Sequence, residues 1–305
     1  MKPRSIRAGD TIQFVTPASP LSAEKLEFMT RLLTEAGYKT KISPHALDAD
    51  GYLAGTDQDR AADLQAAFDD PDTAAVLCNR GGYGCSRIMP LLDFERIAAS
   101  CKMLIGFSDI TMLHLALNRL GIPTVHGPMA LTLHYPREKW VYESFLNVLQ
   151  GDLVFPADAP KPTTVVGGSA EGETVGGCLC LLTDSIGTPW ELDTEGKLLV
   201  IEDVDENPHR IDAMFSHLVN SGLAAKAAGF VIGEMTRTDE RADETIGARP
   251  WRQIVQERLG PLGKPLIIDL PIGHAKNMLT LPLGLRARLD ADAGELTYLE
   301  PLCAS

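Results

Sequence analysis

Between Thr11 and His126 the chain alternates short strand-like runs, turns and amphipathic stretches of helical period. Ala74–Cys78 and Met103–Ile105 are apolar at every position, the signature of strands buried on both faces, which occur in parallel sheets flanked by helices. Parallel neighbours need crossover connections, and helices are predicted where such crossovers are required, at Ser22–Ala36, Asp57–Phe68 and Asp109–Leu120. Further strands are expected at Thr11–Thr16 and Thr124–His126. This pattern predicts an α/β fold with a Rossmann-like parallel sheet in the N-terminal part. In such sheets, functional groups gather beyond the carboxyl ends of the strands.

A helix near Arg137–Leu149 is predicted to close the first domain, residues 1–150. Residues 151–162 include the proline-rich Phe155-Pro-Ala-Asp-Ala-Pro-Lys-Pro162 and read as a linker. Residues 163–305 read as a second, mixed α/β domain. Its strands are expected at Leu198–Ile201, Gly229–Ile232 and Pro265–Ile268, with helices near Arg210–Val219 and Pro250–Leu259. Leu285–Asp290 and Glu295–Leu299 read as a hairpin around Ala293-Gly294. Two domains are the usual outcome for a chain of 305 residues.

The formal charge of −13 argues against nucleic acid or an anionic membrane as a general partner. It leaves room for a local basic pocket. Residues 12–15 are too short an apolar run for a secretory signal, and no run of 18 apolar residues suggests a membrane span. The six cysteines contain no CxxC pair. Cys178 and Cys180, two apart, are expected on opposite faces of a strand. They read as buried small hydrophobes in a reducing, cytoplasmic setting, with no metal site.

Several strand ends carry chemistry. Ser108 follows the Met103–Ile105 strand and stands where a helix begins, a position suited to a nucleophile whose product bears an oxyanion and equally suited to a helix cap. Leu198-Leu-Val-Ile-Glu-Asp-Val204 runs a strand into Glu202 and Asp203, which either orient a base or brace the strand end. His274 stands in the glycine-led turn Leu270-Pro-Ile-Gly-His-Ala-Lys-Asn277, as a base or as a structural turn histidine. Arg80-Gly-Gly-Tyr-Gly84 offers backbone amides to an anion, or simply makes a corner. A serine hydroxyl needs an imidazole to take its proton and a carboxylate to hold the imidazole's tautomer. The spacing alone leaves their proximity open.

Taken in order, Arg80-Gly-Gly-Tyr-Gly84, Gly106-Phe-Ser-Asp109, Gly176-Gly177, Ile201-Glu-Asp-Val204, Pro208-His-Arg-Ile-Asp212 and Gly273-His274 with Leu281-Pro-Leu-Gly284 resemble the LD-carboxypeptidases of serine peptidase family S66, which also holds the microcin C immunity peptidases. The resemblance runs from near residue 11 to near residue 290. It implies Ser108 as nucleophile, Glu202 as triad acid and His274 as base. It also implies an oxyanion hole from the Gly82 and Asp109 amides, an active site between the two domains, and a homodimer. No metal or organic cofactor is implied. The implied substrate is a murein-derived peptide, cleaved at an L,D-amide to release a C-terminal D-amino acid.

Arg80 is the first candidate to grip the terminal carboxylate of that peptide and Lys276 the second. The chain departs from the family at Cys178, where asparagine is frequent, and at His209, where tyrosine is frequent. Ile110 replaces the second glycine of a G-x-S-x-G elbow, which argues against an α/β-hydrolase. Other readings stay open: a non-catalytic small-peptide binding protein, a cysteine-dependent amidotransferase-like enzyme using Cys85 or Cys78, and an immunity-type peptidase acting on a peptidyl-nucleotide conjugate, with Trp190 as the nominated base clamp.

Overall fold

Thr73–Cys78 is buried at all six positions, and it forms the middle of a six-stranded sheet. In this computed structural model, which describes residues 2–243, 245, 247 and 249–304, β1 (Thr11–Val15), β2 (Lys39–Ile42), β3 (Thr73–Cys78), β4 (Met103–Gly106) and β5 (Thr124–His126) are mutually parallel. Their order is β2–β1–β3–β4–β5, with the strand Leu281–Leu283 added antiparallel at the β5 edge. The crossovers include α1 (Ala23–Glu35), α2 (Asp57–Asp69) and α3 (Thr111–Arg119), and α4 (Lys139–Leu149) follows β5. Successive connections leave β1 and β3 in opposite directions across the sheet. The loops after those two strands therefore flank the switch point at which such sheets bind ligands.

Leu26, Met29 and Leu33 form the buried stripe of α1, and Gly37, with a φ of 91°, follows its end. Thr56 caps α2 by accepting the Asp59 amide at 3.1 Å. Such a cap satisfies one of the amides that a helix start leaves without an intrahelical partner.

The second sheet has seven strands. β6 (Thr163–Val166), β7 (Ser169–Cys178), β8 (Leu198–Val204), β9 (Gly229–Thr236), β10 (Leu266–Ile268), β12 (Arg286–Asp290) and β13 (Glu295–Tyr298) lie in the order β13–β12–β7–β8–β9–β10–β6, where β11 denotes Leu281–Leu283 of the first sheet. β7 to β10 are parallel, whereas β12 and β13 pair as the expected hairpin and β6 runs antiparallel to β10. α5 (Leu179–Asp184), α6 (Pro208–Asn220) and α7 (Trp251–Leu259) accompany this sheet. Gly176 has a φ of 142°, and a Cβ there would overlap the Val200 carbonyl. Only glycine lets β7 and β8 approach this closely.

The chain divides into two units, Met1–Pro156 with Thr280–Leu283 and Pro301–Ser305, and Ala157–Leu279 with Gly284–Glu300. The first crossing falls inside the proline-rich 151–162 stretch. The chain later returns to the first unit twice, so residues 163–305 are not one continuous body. Pairing of Leu281–Leu283 with β5 is the physical reason for the first return. No helix among the described residues is long and apolar enough to cross a membrane.

Candidate active site

In the first unit, β4 ends at Gly106, and Ser108–Ile110 forms a single 3₁₀ turn leading into α3. Ser108 is half-buried and has a φ of 65°. A left-handed backbone is costly for a residue with a Cβ, by about 1–3 kcal/mol, and persists only where the surroundings over-determine it. The surroundings here are the glycine turn. A Cβ on Gly81 would lie 2.8 Å from the Ser108 Cβ, 3.0 Å from its Oγ and 3.1 Å from the Asp109 amide nitrogen. The bare Gly81 backbone therefore packs directly on the serine and on the N–H that follows it. Gly82, with a φ of 101°, packs in the same way on Ser19.

Sequence reasoning missed the braces of this turn. Ser19 donates its amide to the Gly81 carbonyl at 3.2 Å, and its Oγ accepts the Tyr83 amide at 3.1 Å. Arg60, only 2% exposed, donates to the carbonyls of Pro17 and Gly84 and pairs with Asp57. One buried guanidinium thus ties the loop after β1 to the loop after β3. The only sequence signal was the Asp57–Arg60 spacing on α2.

Arg80 donates to the Pro20 carbonyl at 2.9 Å, so it braces the same corner. The Asp109 carboxylate is buried and accepts the Cys85 amide at 2.7 Å; burial raises its pKa. Cys78 and Cys85 are wholly buried, and burial pushes both thiols up. That disfavours the thiolate a cysteine nucleophile needs.

In the second unit, β8 carries Glu202 to a fully buried position. The His274 Nδ1 lies 2.6 Å from Glu202 Oε2, and the His274 amide donates to the same oxygen at 3.1 Å. Gly273 makes this possible. It has a φ of 67°, and a Cβ there would run into the Glu202 carboxyl. Burial presses the His274 imidazole towards its neutral form, but the Glu202 carboxylate overrides it, and the histidine's pKa stands above its ordinary value. Lys276, two residues on, is exposed, and Trp190 is half-buried in the turn after α5.

Asp203 accepts the amides of Val204 at 2.7 Å and Cys180 at 2.8 Å. Burial, reinforced by neighbouring Glu202, pushes its pKa up to about 7. A carboxyl whose folded pKa is raised adds stability that is complete below its unfolded value and is lost as pH rises through the folded one. Thermal stability should therefore decline between about pH 4 and pH 7 by an amount on the order of a few kcal/mol. Asp203→Asn should flatten that slope in melting curves recorded across the range, and an unchanged slope would locate the titration elsewhere.

Cys178 and Cys180 correct an expectation. They do not point to opposite faces of a strand, because β7 ends at Cys178 and Cys180 already lies in α5. Their sulfurs are 3.5 Å apart.

Residues 12–127 match the model of the LD-carboxypeptidase N-terminal domain, and residues 171–289 match that of the LD-carboxypeptidase C-terminal domain. The chain belongs to the S66 LD-carboxypeptidase family. It is 39% identical to a putative carboxypeptidase of Streptomyces coelicolor over 100% of this chain and 98% of that one. It is 34% identical to the murein tetrapeptide carboxypeptidase of Pseudomonas aeruginosa, over 92% and 93% of the two chains. Among solved structures, the muramoyltetrapeptide carboxypeptidase of Oxalobacter formigenes matches with a TM-score of 0.81 at 26% identity, over 94% of this chain and 97% of that one. The microcin C7 self-immunity protein MccF matches with a TM-score of 0.88 at 24% identity, over 99% of both chains, which establishes the shared fold. As an S66 member the chain is a peptidase-family hydrolase.

Proposed function

We propose that this S66 protein is a serine carboxypeptidase that cleaves the L,D-amide of a murein tetrapeptide and releases its C-terminal D-alanine. The observation that carries this reading is the buried Glu202 carboxylate 2.6 Å from the Nδ1 of His274. A carboxylate in that position fixes the ring tautomer and stabilises the imidazolium that forms during acyl transfer. With Nδ1 so engaged, Nε2 is the atom that exchanges the proton.

Ser108 is the proposed nucleophile, activated by His274. Attack of its Oγ on the carbonyl forms a tetrahedral intermediate whose oxyanion is held by the Gly82 and Asp109 amides. Each such donor is typically worth about 10²–10³ in turnover. His274 then protonates the leaving amine, and water releases the acyl group by the reverse proton path. Arg80 is the first candidate for the substrate's terminal carboxylate. A guanidinium has five N–H donors, so its bond to Pro20 does not exhaust it. Lys276 is the second. The relatives of Pseudomonas and Oxalobacter, through their names, support a murein peptide as substrate. A homodimer in the cytoplasm completes the proposal.

Mass spectrometry of the purified protein with murein tetrapeptide, its L-alanine-terminated isomer and a peptidyl-nucleotide conjugate tests the reading. Loss of one alanine from the first alone is expected. Hydrolysis of the conjugate alone would assign the immunity-type activity instead, and loss from the L-isomer would remove the stereochemical part.

A further inference from the structure

The turn from β7 into α5 brings together groups that the proposed peptidase chemistry does not use. Cys178 closes the strand in an extended conformation, with φ −70° and ψ 124°. The helix begins at once and carries Cys180 back over it, so the two sulfurs stand 3.5 Å apart. Cys178 pairs in register with Glu202 on β8, and the next residue, Asp203, is anchored by the Cys180 amide at 2.8 Å. One ligand atom each from Cys178, Cys180 and Asp203 lie within 4.8 Å of one another, the sole such group among the described residues. Cys178 and Asp203 are buried, and Cys180 is partly exposed.

We propose that Cys178, Cys180 and Asp203 form a binding site for a thiophilic divalent cation of the zinc class. Two sulfurs and a carboxylate oxygen supply three corners of a tetrahedron. Zinc–sulfur bonds of about 2.3 Å set a sulfur–sulfur edge of about 3.8 Å, so the observed 3.5 Å needs an adjustment of only tenths of an ångström. A disulfide, at about 2.05 Å between sulfurs, would need a shift several times larger. Calcium and magnesium favour all-oxygen ligation, which this pair of thiols does not offer. On binding, both thiols lose their protons to solvent, and the dication offsets two of the three negative charges of the two thiolates and the carboxylate. The partly exposed Cys180 side is the route of entry and the place for a fourth ligand from solvent. The site is independent of the peptidase reading and stands whether or not Ser108 is the nucleophile.

The test uses the full chain, reduced and stripped with a chelator, then titrated with cadmium as a spectroscopic probe and with zinc against a chromophoric chelator. Expected is a thiolate-to-cadmium charge-transfer band that saturates at one equivalent. Cys180→Ser and Asp203→Asn should each weaken zinc by at least about 10–100-fold, the loss typical even of supporting groups around a metal. Zinc should also slow alkylation of Cys180 in the unaltered protein, read by peptide mapping, which needs no variant to fold. Absence of the band at one equivalent, a band of full strength in Cys178→Ser/Cys180→Ser, or alkylation of Cys180 at the same rate with zinc would each overturn the proposal.

Discussion

Ser108→Ala, which removes the proposed nucleophile, is expected to lower kcat for the proposed D-alanine release by about 10⁴–10⁶-fold, the range seen when a triad serine is removed from serine peptidases. The fold should be unaffected. Serine and alanine share the same Cβ, so the contact with Gly81 and the left-handed φ of 65° are unchanged. Matching melting temperatures with a collapsed kcat would separate chemistry from stability. Labelling by a fluorophosphonate probe should disappear in the same variant. Retention of D-alanine release would remove Ser108 from the mechanism.

Glu202→Gln should cost about 10⁴-fold in kcat, as loss of the orienting carboxylate does in a serine triad. The glutamine amide can present N–H to Nδ1 and so favour the wrong tautomer. The pH profile gives a second readout. Under the proposed mechanism the base must be neutral to accept the serine proton, so kcat/KM should fall as pH drops through the His274 pKa. That pKa is raised by Glu202 against the opposing effect of burial. The acid limb of the native enzyme should therefore lie above the ordinary histidine value of about 6.5, and in Glu202→Gln it should move to lower pH. The sign for stability is the reverse of a typical carboxylate's. The His274–Glu202 interaction contributes fully below the unfolded histidine pKa and is lost as pH rises through the folded one. An acid limb that does not move would separate Glu202 from the titrating base.

The first sheet was legible because its central strands are apolar at every position. Ala74–Cys78 and Met103–Ile105 admit little else once bounded by turns. Lys39–Ile42 was not legible, since it is an edge strand with exposed lysines and no alternation. Leu281–Leu283 carries a proline, which sheets tolerate at an edge, and its partner β5 lies over 150 residues earlier. No local pattern carries that pairing. β7 was fragmented in the sequence by glycines whose role is the close approach to β8.

Among the residues proposed for catalysis, Ser108, Glu202 and His274 stood out because each follows an apolar run. The reason Gly81 and Gly273 lack side chains emerges only when the serine and the glutamate are seen against them. Arg60 was missed because an arginine three residues from Asp57 on a helix reads as half of a solvated ion pair. The Cys178–Cys180 pair was misread because strand periodicity was extended two residues past the strand's end.

The left-handed backbone at Ser108 carries a consequence for the protein's history. Glycine would adopt that conformation with less strain, yet it would abolish the hydroxyl. Under the proposed chemistry, endurance and turnover pull this one position in opposite directions. A laboratory lineage selected for heat tolerance alone would tend to surrender the serine, whereas one that must also digest its substrate would have to find hardiness elsewhere in the chain.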